Sequence, residues 1–214
     1  MSTTRLLLLG VVRIFQPAYG YQLRRELLTW NVQVWANINP GSIYSGLRTL
    51  AKHGYLAEIQ TTESDDRPGR TSYKLTAEGE SEYFILLREA LWNVAPFRPD
   101  RMQAALSFLW SLKRDEVIAG LESRTMQLEQ LDKQQRFAER GVLEDAAIPD
   151  HVVEMLRISS ARDLGELQWT REFLQRVRDG EYSFAGEPRK WQPPADLVTH
   201  WGSDQVPPEW QPDN

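Results

Sequence analysis

A mainly α-helical chain with one two-stranded ribbon near its front is the fold class predicted by three observations. Apolar residues recur at helical spacing through most of the 214 residues. Two short β-rich runs, 55–61 and 71–75, flank a stretch holding Asp65, Asp66, Pro68 and Gly69, the residue types a turn demands. Prolines at 17, 40, 96, 99 and 149 mark the ends of the helical patterns.

Thr3 and Thr4 can cap a first helix through the apolar run ending at Phe15, and Pro17 stops it. A second helix over 19–30 is expected to turn Tyr21, Leu23 and Leu27 inward and Gln22, Arg25 and Glu26 outward; 31–39 reads as a connection. Asn39 and Pro40 open a third helix, which Gly54 closes in the left-handed conformation. Its buried stripe is Ile43, Leu47, Leu50 and Ala51, so Ser42, Tyr44, Ser45, Arg48, Thr49 and Lys52 remain for solvent. The two β-rich runs form a hairpin. Thr76 then caps a helix over 77–95, with Tyr83, Leu86, Leu87 and Leu91 on its apolar face.

Pro96 and Pro99 are read as the domain boundary. Beyond them Asp100 can cap a helix through Leu112, and Asp115 starts a long one whose apolar seam is interrupted by Arg124 and Gln135. Pro149 and Asp150 open a last helix reaching Asp179. The final thirty residues hold six of the twelve prolines and three of the eight tryptophans, so an irregular tail is expected. The predicted domains are a head over 1–95, a helical domain over 96–183 and a Pro/Trp-rich tail over 184–214.

At 41% hydrophobic residues the chain can bury a core without a cofactor, and none is expected. Lacking cysteine, it has no disulfide, thiol nucleophile or thiolate metal site, and its three histidines, His53, His151 and His200, lie far apart. No catalytic constellation or Gly-rich phosphate loop is present, so neither an enzyme nor a metal site is expected. The apolar run 6–12 is bounded by Arg5 and Arg13 and is too short to cross a bilayer. A cytoplasmic address follows.

The charge is uneven. Up to Ala77 there are nine Lys/Arg against five Asp/Glu, net +4; the remainder has sixteen against twenty-five, net −9, together the −5 of the whole chain. A basic head on an acidic body suits local contact with a polyanion. Three helices, the third short and basic, then a hairpin with an Arg67-Pro68-Gly69-Arg70 tip, make an N-terminal winged helix-turn-helix, a device for duplex DNA.

The segments LLLLGVVRIFQPAYGYQLRREL, PGSIYSGLRTLAKHGYL and GRTSYKLTAEGESE resemble the three successive signatures of PadR-family transcriptional regulators. Residues 110–139 and 152–177, with Trp169, are similar to the helical dimerisation domain of the longer members. Tyr19 stands where family members often have histidine before the Gly-Tyr pair. The resemblance implies a homodimer that binds a palindromic double-stranded DNA operator, commonly as a repressor, and releases it when a small molecule or another signal arrives.

The DNA-contacting candidates are Gln22, Ser42, Tyr44, Ser45, Arg48 and Lys52 from the helices and Arg67, Arg70 and Lys74 from the wing. Arginine suits base reading because its planar fork bonds O6 and N7 of guanine together. Serine and tyrosine hydroxyls suit phosphates. Trp92, Phe108 and Trp110 are candidates for stacking on an aromatic effector, against the plainer role of core residues. Leu164, Leu167, Trp169, Phe173 and Leu174 are the dimerisation candidates. The competing function class is a winged-helix adaptor for protein partners, for which a +4 head has no use.

Overall fold

The computed structural model describes residues 3–61, 70–145 and 147–188. The chain divides into two compact units: among these residues, the first holds those up to Leu87 with Gln103–Phe108, the second Arg88–Met102 with Leu109–Pro188. This division by contact falls inside a continuous helix, ahead of Pro96 and Pro99 where the domain boundary is expected. An unbroken α-helix spans that point because 77–92 contains no proline and only one glycine. The tail beyond residue 188 lies outside the described residues.

In the first unit α1 (Thr3–Phe15) is apolar on nearly every face, which suits a helix enclosed on all sides. Leu6, Leu7, Leu9, Val11 and Val12 have no exposed surface. At about 1.5–3 kcal/mol for each large aliphatic side chain buried, this helix anchors the unit. Thr3 lies inside the helix and is buried, so it does not cap from outside. The chain then makes a two-residue strand, β1 (Ala18–Tyr19), and enters α2 (Gly20–Thr29). A four-residue helix, α3 (Val32–Trp35), occupies part of the expected connection; Val32 is fully buried there.

α4 (Pro40–Lys52) begins as expected: the Asn39 side-chain oxygen accepts from the Gly41 amide at 2.9 Å, and Pro40 takes a first-turn position where no amide hydrogen is needed. It ends at Gly54, with φ +79°. The ribbon follows as β2 (Leu56–Thr61) and β3 (Arg70–Leu75), antiparallel from Leu56 opposite Leu75 to Thr61 opposite Arg70. β1 adds a third strand at the base, Ala18 opposite Tyr73, giving the order β1-β3-β2. Thr76 accepts from the Gly79 amide at 3.0 Å and starts α5 (Ala77–Trp92).

The expected single helix over 100–112 is two pieces. α6 (Pro99–Leu106) ends before Ser107, and a 3-10 turn follows at Leu109–Ser111. In the second unit α7 (Arg114–Glu144) and α8 (Val153–Arg178), the latter preceded by a 3-10 turn at Asp150–Val152, pack as an antiparallel pair. The polar cross-links show the register: Glu122 with Arg178, Glu129 with Arg171, Gln135 with Asp163, Glu139 with Arg157. Ascending positions on α7 meet descending positions on α8.

Candidate nucleic-acid interface

α4 sorts its side chains by period. Ile43 and Leu47 are fully buried and Leu50 nearly so, which fixes the helix on the core. Ser42, Tyr44, Ser45, Arg48, Thr49 and Lys52 lie on its outer face, Tyr44 at 39% exposure. The hydroxyls are already engaged: Ser42 Oγ donates to the Asn39 carbonyl at 2.7 Å, Ser45 Oγ to Ser42 at 2.9 Å, and Thr49 Oγ1 to Ser45 at 2.8 Å. A phosphate contact by any of them exchanges one hydrogen bond for another, a small net gain.

The cations differ. In the same unit Arg5 pairs with Glu82 and Arg13 with Glu80, each at 2.8 Å. Arg48, Lys52 and, on β3, Lys74 are exposed and have no carboxylate within ion-pair distance among the described residues. Arg48 Nε makes only a long 3.5 Å approach to the Tyr44 carbonyl on its own helix. The helix therefore presents charge that the described part of the chain does not neutralise, the condition for contact with a polyanion. Burial holds the Tyr73 phenol above its usual pKa, the charge of Glu58 adds to that, and Arg48 opposes it. Arg48 is thus near enough to the ribbon to act on a β3 side chain.

Two predicted placements change. Gln22 is buried, at 8% exposure, because its side-chain oxygen turns back to accept from the Tyr19 amide at 2.9 Å and caps α2. Tyr21, expected inside, is 50% exposed. Leu23 and Leu27 set the inward phase of α2, and position 21 falls outside it; that spacing was the available signal. Arg67 lies outside the described residues. Arg70 has its backbone paired in β3, and its side chain lies outside the described part.

The three aromatic effector candidates are not gathered in one unit. Phe108 belongs to the first, is fully buried, and meets Trp30 and Tyr83 edge-on at 5.8 and 5.7 Å. A Cβ on Gly10 would stand 2.2 Å from its ring, so α1 carries no side chain there, and Phe108 is a core residue with no face left for a ligand. Trp92 and Trp110 belong to the second unit; Trp110 is half-buried. The Trp92 carbonyl accepts from Gln127 Nε2 at 2.8 Å.

Of the dimerisation candidates, Leu167, Phe173 and Leu174 are buried within the unit, and Trp169 is stacked on Phe173 at 5.1 Å. Leu164 is exposed. The large apolar side chains that α7 and α8 leave outside are instead Met126, Phe137, Leu143, Met155 and Ile158, Phe137 at 75%. Arg124, which breaks the apolar seam of α7, is 3% exposed and bonds Glu166 of α8 through Nε at 2.8 Å and also through Nη2. Among the described residues no cluster of His, Asp and Glu is arranged to hold a metal ion, and no helix is long and apolar enough to cross a membrane.

Residues 8–84 match the model of the Transcriptional regulator PadR-like family. No curated protein sequence matches the chain. Among solved structures, it is similar to Bacillus subtilis PadR in complex with operator DNA, at 18% identity over 83% of this chain and 98% of that one, with a TM-score of 0.37. It is similar to a PadR-like transcriptional regulator from Bacillus cereus at 14% identity over 81% and 94%, TM-score 0.34. Bacillus subtilis PadR in complex with p-coumaric acid matches at 17% identity over 82% and 99%, TM-score 0.33. The matched residues 8–84 run from α1 into α5 and take in both strands of the ribbon, so the likeness to the transcriptional regulator PadR-like family lies within the first unit.

Proposed function

We propose that the chain is a DNA-binding transcriptional regulator that works as a homodimer on a palindromic operator in the cytoplasm, repressing until a small molecule releases it. The observation that carries this reading is the exposed face of α4, where Arg48 and Lys52 have no acidic partner among the described residues while Arg5 and Arg13 of the same unit are paired. Thirteen residues at 1.5 Å each make α4 about 20 Å long, enough to lie along a major groove roughly 12 Å wide. Arg48 reads a base edge, Tyr44, Ser42 and Ser45 position the helix on phosphates, and Lys52, Lys74 and the wing arginines Arg67 and Arg70 hold the backbone.

Pairing of two copies is supported by Phe137, Leu143, Met155, Ile158 and Leu164, apolar side chains that α7 and α8 leave exposed. Two heads then enter successive major grooves about 34 Å apart. A releasing ligand acts by binding the operator-incompetent dimer more tightly, and lowers DNA affinity by that difference alone.

The test is a fluorescence-anisotropy titration with the duplex just upstream of the chain's own coding region and a shuffled duplex of equal composition. Arg48→Ala is expected to reduce discrimination between them by about 1 to 3 kcal/mol per subunit. Lys52→Ala should weaken both duplexes alike and lower the salt slope by about 1 for each phosphate it no longer neutralises. Equal affinity of the unaltered protein for the two duplexes would overturn the reading.

A further inference from the structure

An open cleft of about 670 Å³ lies beside the exposed face of α4, between α2, β1 and β3. Its walls are four tyrosines, Tyr19, Tyr21, Tyr44 and Tyr73, with Gly20 and Thr71 between them. The Tyr19 and Tyr21 rings are parallel within 12°, centroids 5.9 Å apart. A Cβ on Gly20 would stand 3.2 Å from the Tyr44 ring, so the bare backbone there lets that ring pack close against the start of α2 and form one wall of the cleft. Tyr21 and Tyr44 remain 50% and 39% exposed, aromatic area that no described residue covers.

The volume falls in the range of roughly 300–1,000 Å³ typical of small-molecule sites. Tyrosine faces take a flat aromatic guest by offset stacking, with ring centroids roughly 4.5–7 Å apart. A phosphate or other strong anion needs cationic donors, and none is among the walls.

We infer that this tyrosine-walled cleft binds a flat aromatic molecule that carries no negative charge, and that the bound molecule competes directly with duplex DNA because Tyr44 serves both. The competition rests on the proposed DNA reading; the site itself does not. Occupancy would release DNA at the reading head, without action through the helical unit.

Equilibrium dialysis of 2-naphthol against the full chain tests the site. Saturable binding of one molecule per chain is expected, lost at least tenfold in Thr71→Trp, which fills the cleft from a strand position that tolerates tryptophan, and kept in Thr71→Val. The anion 2-naphthoate should bind at least fivefold more weakly. Thr71→Phe decides in place of Thr71→Trp if far-ultraviolet circular dichroism shows the latter unfolded. Failure to saturate, equal binding by the filled variant, or equal binding of the anion would overturn the proposal. With naphthol at ten times its dissociation constant, the apparent dissociation constant for the duplex should rise about tenfold. A duplex that binds and is not displaced refutes the competition and leaves DNA binding standing. A duplex that never binds refutes the proposed function, while the dialysis still decides the cleft.

Discussion

Removing Glu166 should destabilise the protein more than removing Arg124, although the two form one ion pair. The Arg124 side chain is 3% exposed and that of Glu166 is 27% exposed. In Glu166→Leu the guanidinium stays in the interior without its carboxylate, which costs about 3–5 kcal/mol. In Arg124→Met the remaining carboxylate can recruit water. That variant also gives up the bond from Arg124 Nη1 to the Asn93 carbonyl at 3.0 Å; the approaches to Ala90 and Leu91, at 3.5 and 3.4 Å, are too long to add much. One orphaned carbonyl costs about 1–3 kcal/mol. The double variant Arg124→Met/Glu166→Leu should lie near Arg124→Met, because no buried charge is left over. Urea unfolding followed by far-ultraviolet circular dichroism measures all four proteins, with shifts in midpoint at unchanged slope read as stability. If Arg124→Met is the more damaging single change, or the two effects simply add, the buried-charge argument fails.

Three further outcomes follow from local geometry. Gly54→Ala places a side chain at φ +79°, where the left-handed conformation costs about 1–2 kcal/mol, and the thermal midpoint should fall accordingly. Asn39→Ala removes the acceptor for the Gly41 amide and should cost about 1 kcal/mol by the same assay, with a smaller drop in Asn39→Ser. Tyr73 has its pKa raised above 10.0 by burial and then by Glu58, so the unfolded chain ionises it first. Its contribution to stability is whole below pH 10 and is lost as pH rises through the folded-state value. Tyr73→Phe should show a shallower alkaline loss of stability than the unaltered protein; equal slopes would contradict the assignment.

What could be read from the sequence was what local chemistry decides. Asn39-Pro40 at one end and Gly54 at the other delimit α4 because capping and positive φ depend on residues next to each other in the chain, and the three-four spacing of Ile43, Leu47 and Leu50 sets its buried face. The missed features depend on partners distant in sequence or on very short elements. β1 is two residues long and exists through its pairing with Ser72 and Tyr73. α3 is a single turn with too few residues to show a period. Gln22 looks outward by polarity, yet its amide folds back to the Tyr19 backbone, and a polar residue that caps its own helix carries no hydropathy signal. Arg124 and Gln135 look like faults in the α7 seam until α8 brings Glu166 and Asp163 opposite them. The exposed face of α4 was therefore legible from residues 39–54, while the tyrosine cleft beside it, assembled from α2, α4 and two strands, was not.

The central claim is that uncompensated positive charge on α4 and the ribbon meets the phosphates of a specific duplex. Its most direct test is the affinity of the unaltered protein for the upstream duplex measured across salt. With roughly 6–10 phosphate contacts per dimer, binding should weaken about a thousandfold or more between roughly 50 and 200 mM salt, along a straight line in logarithmic coordinates. An affinity that stays level over that range would contradict the account.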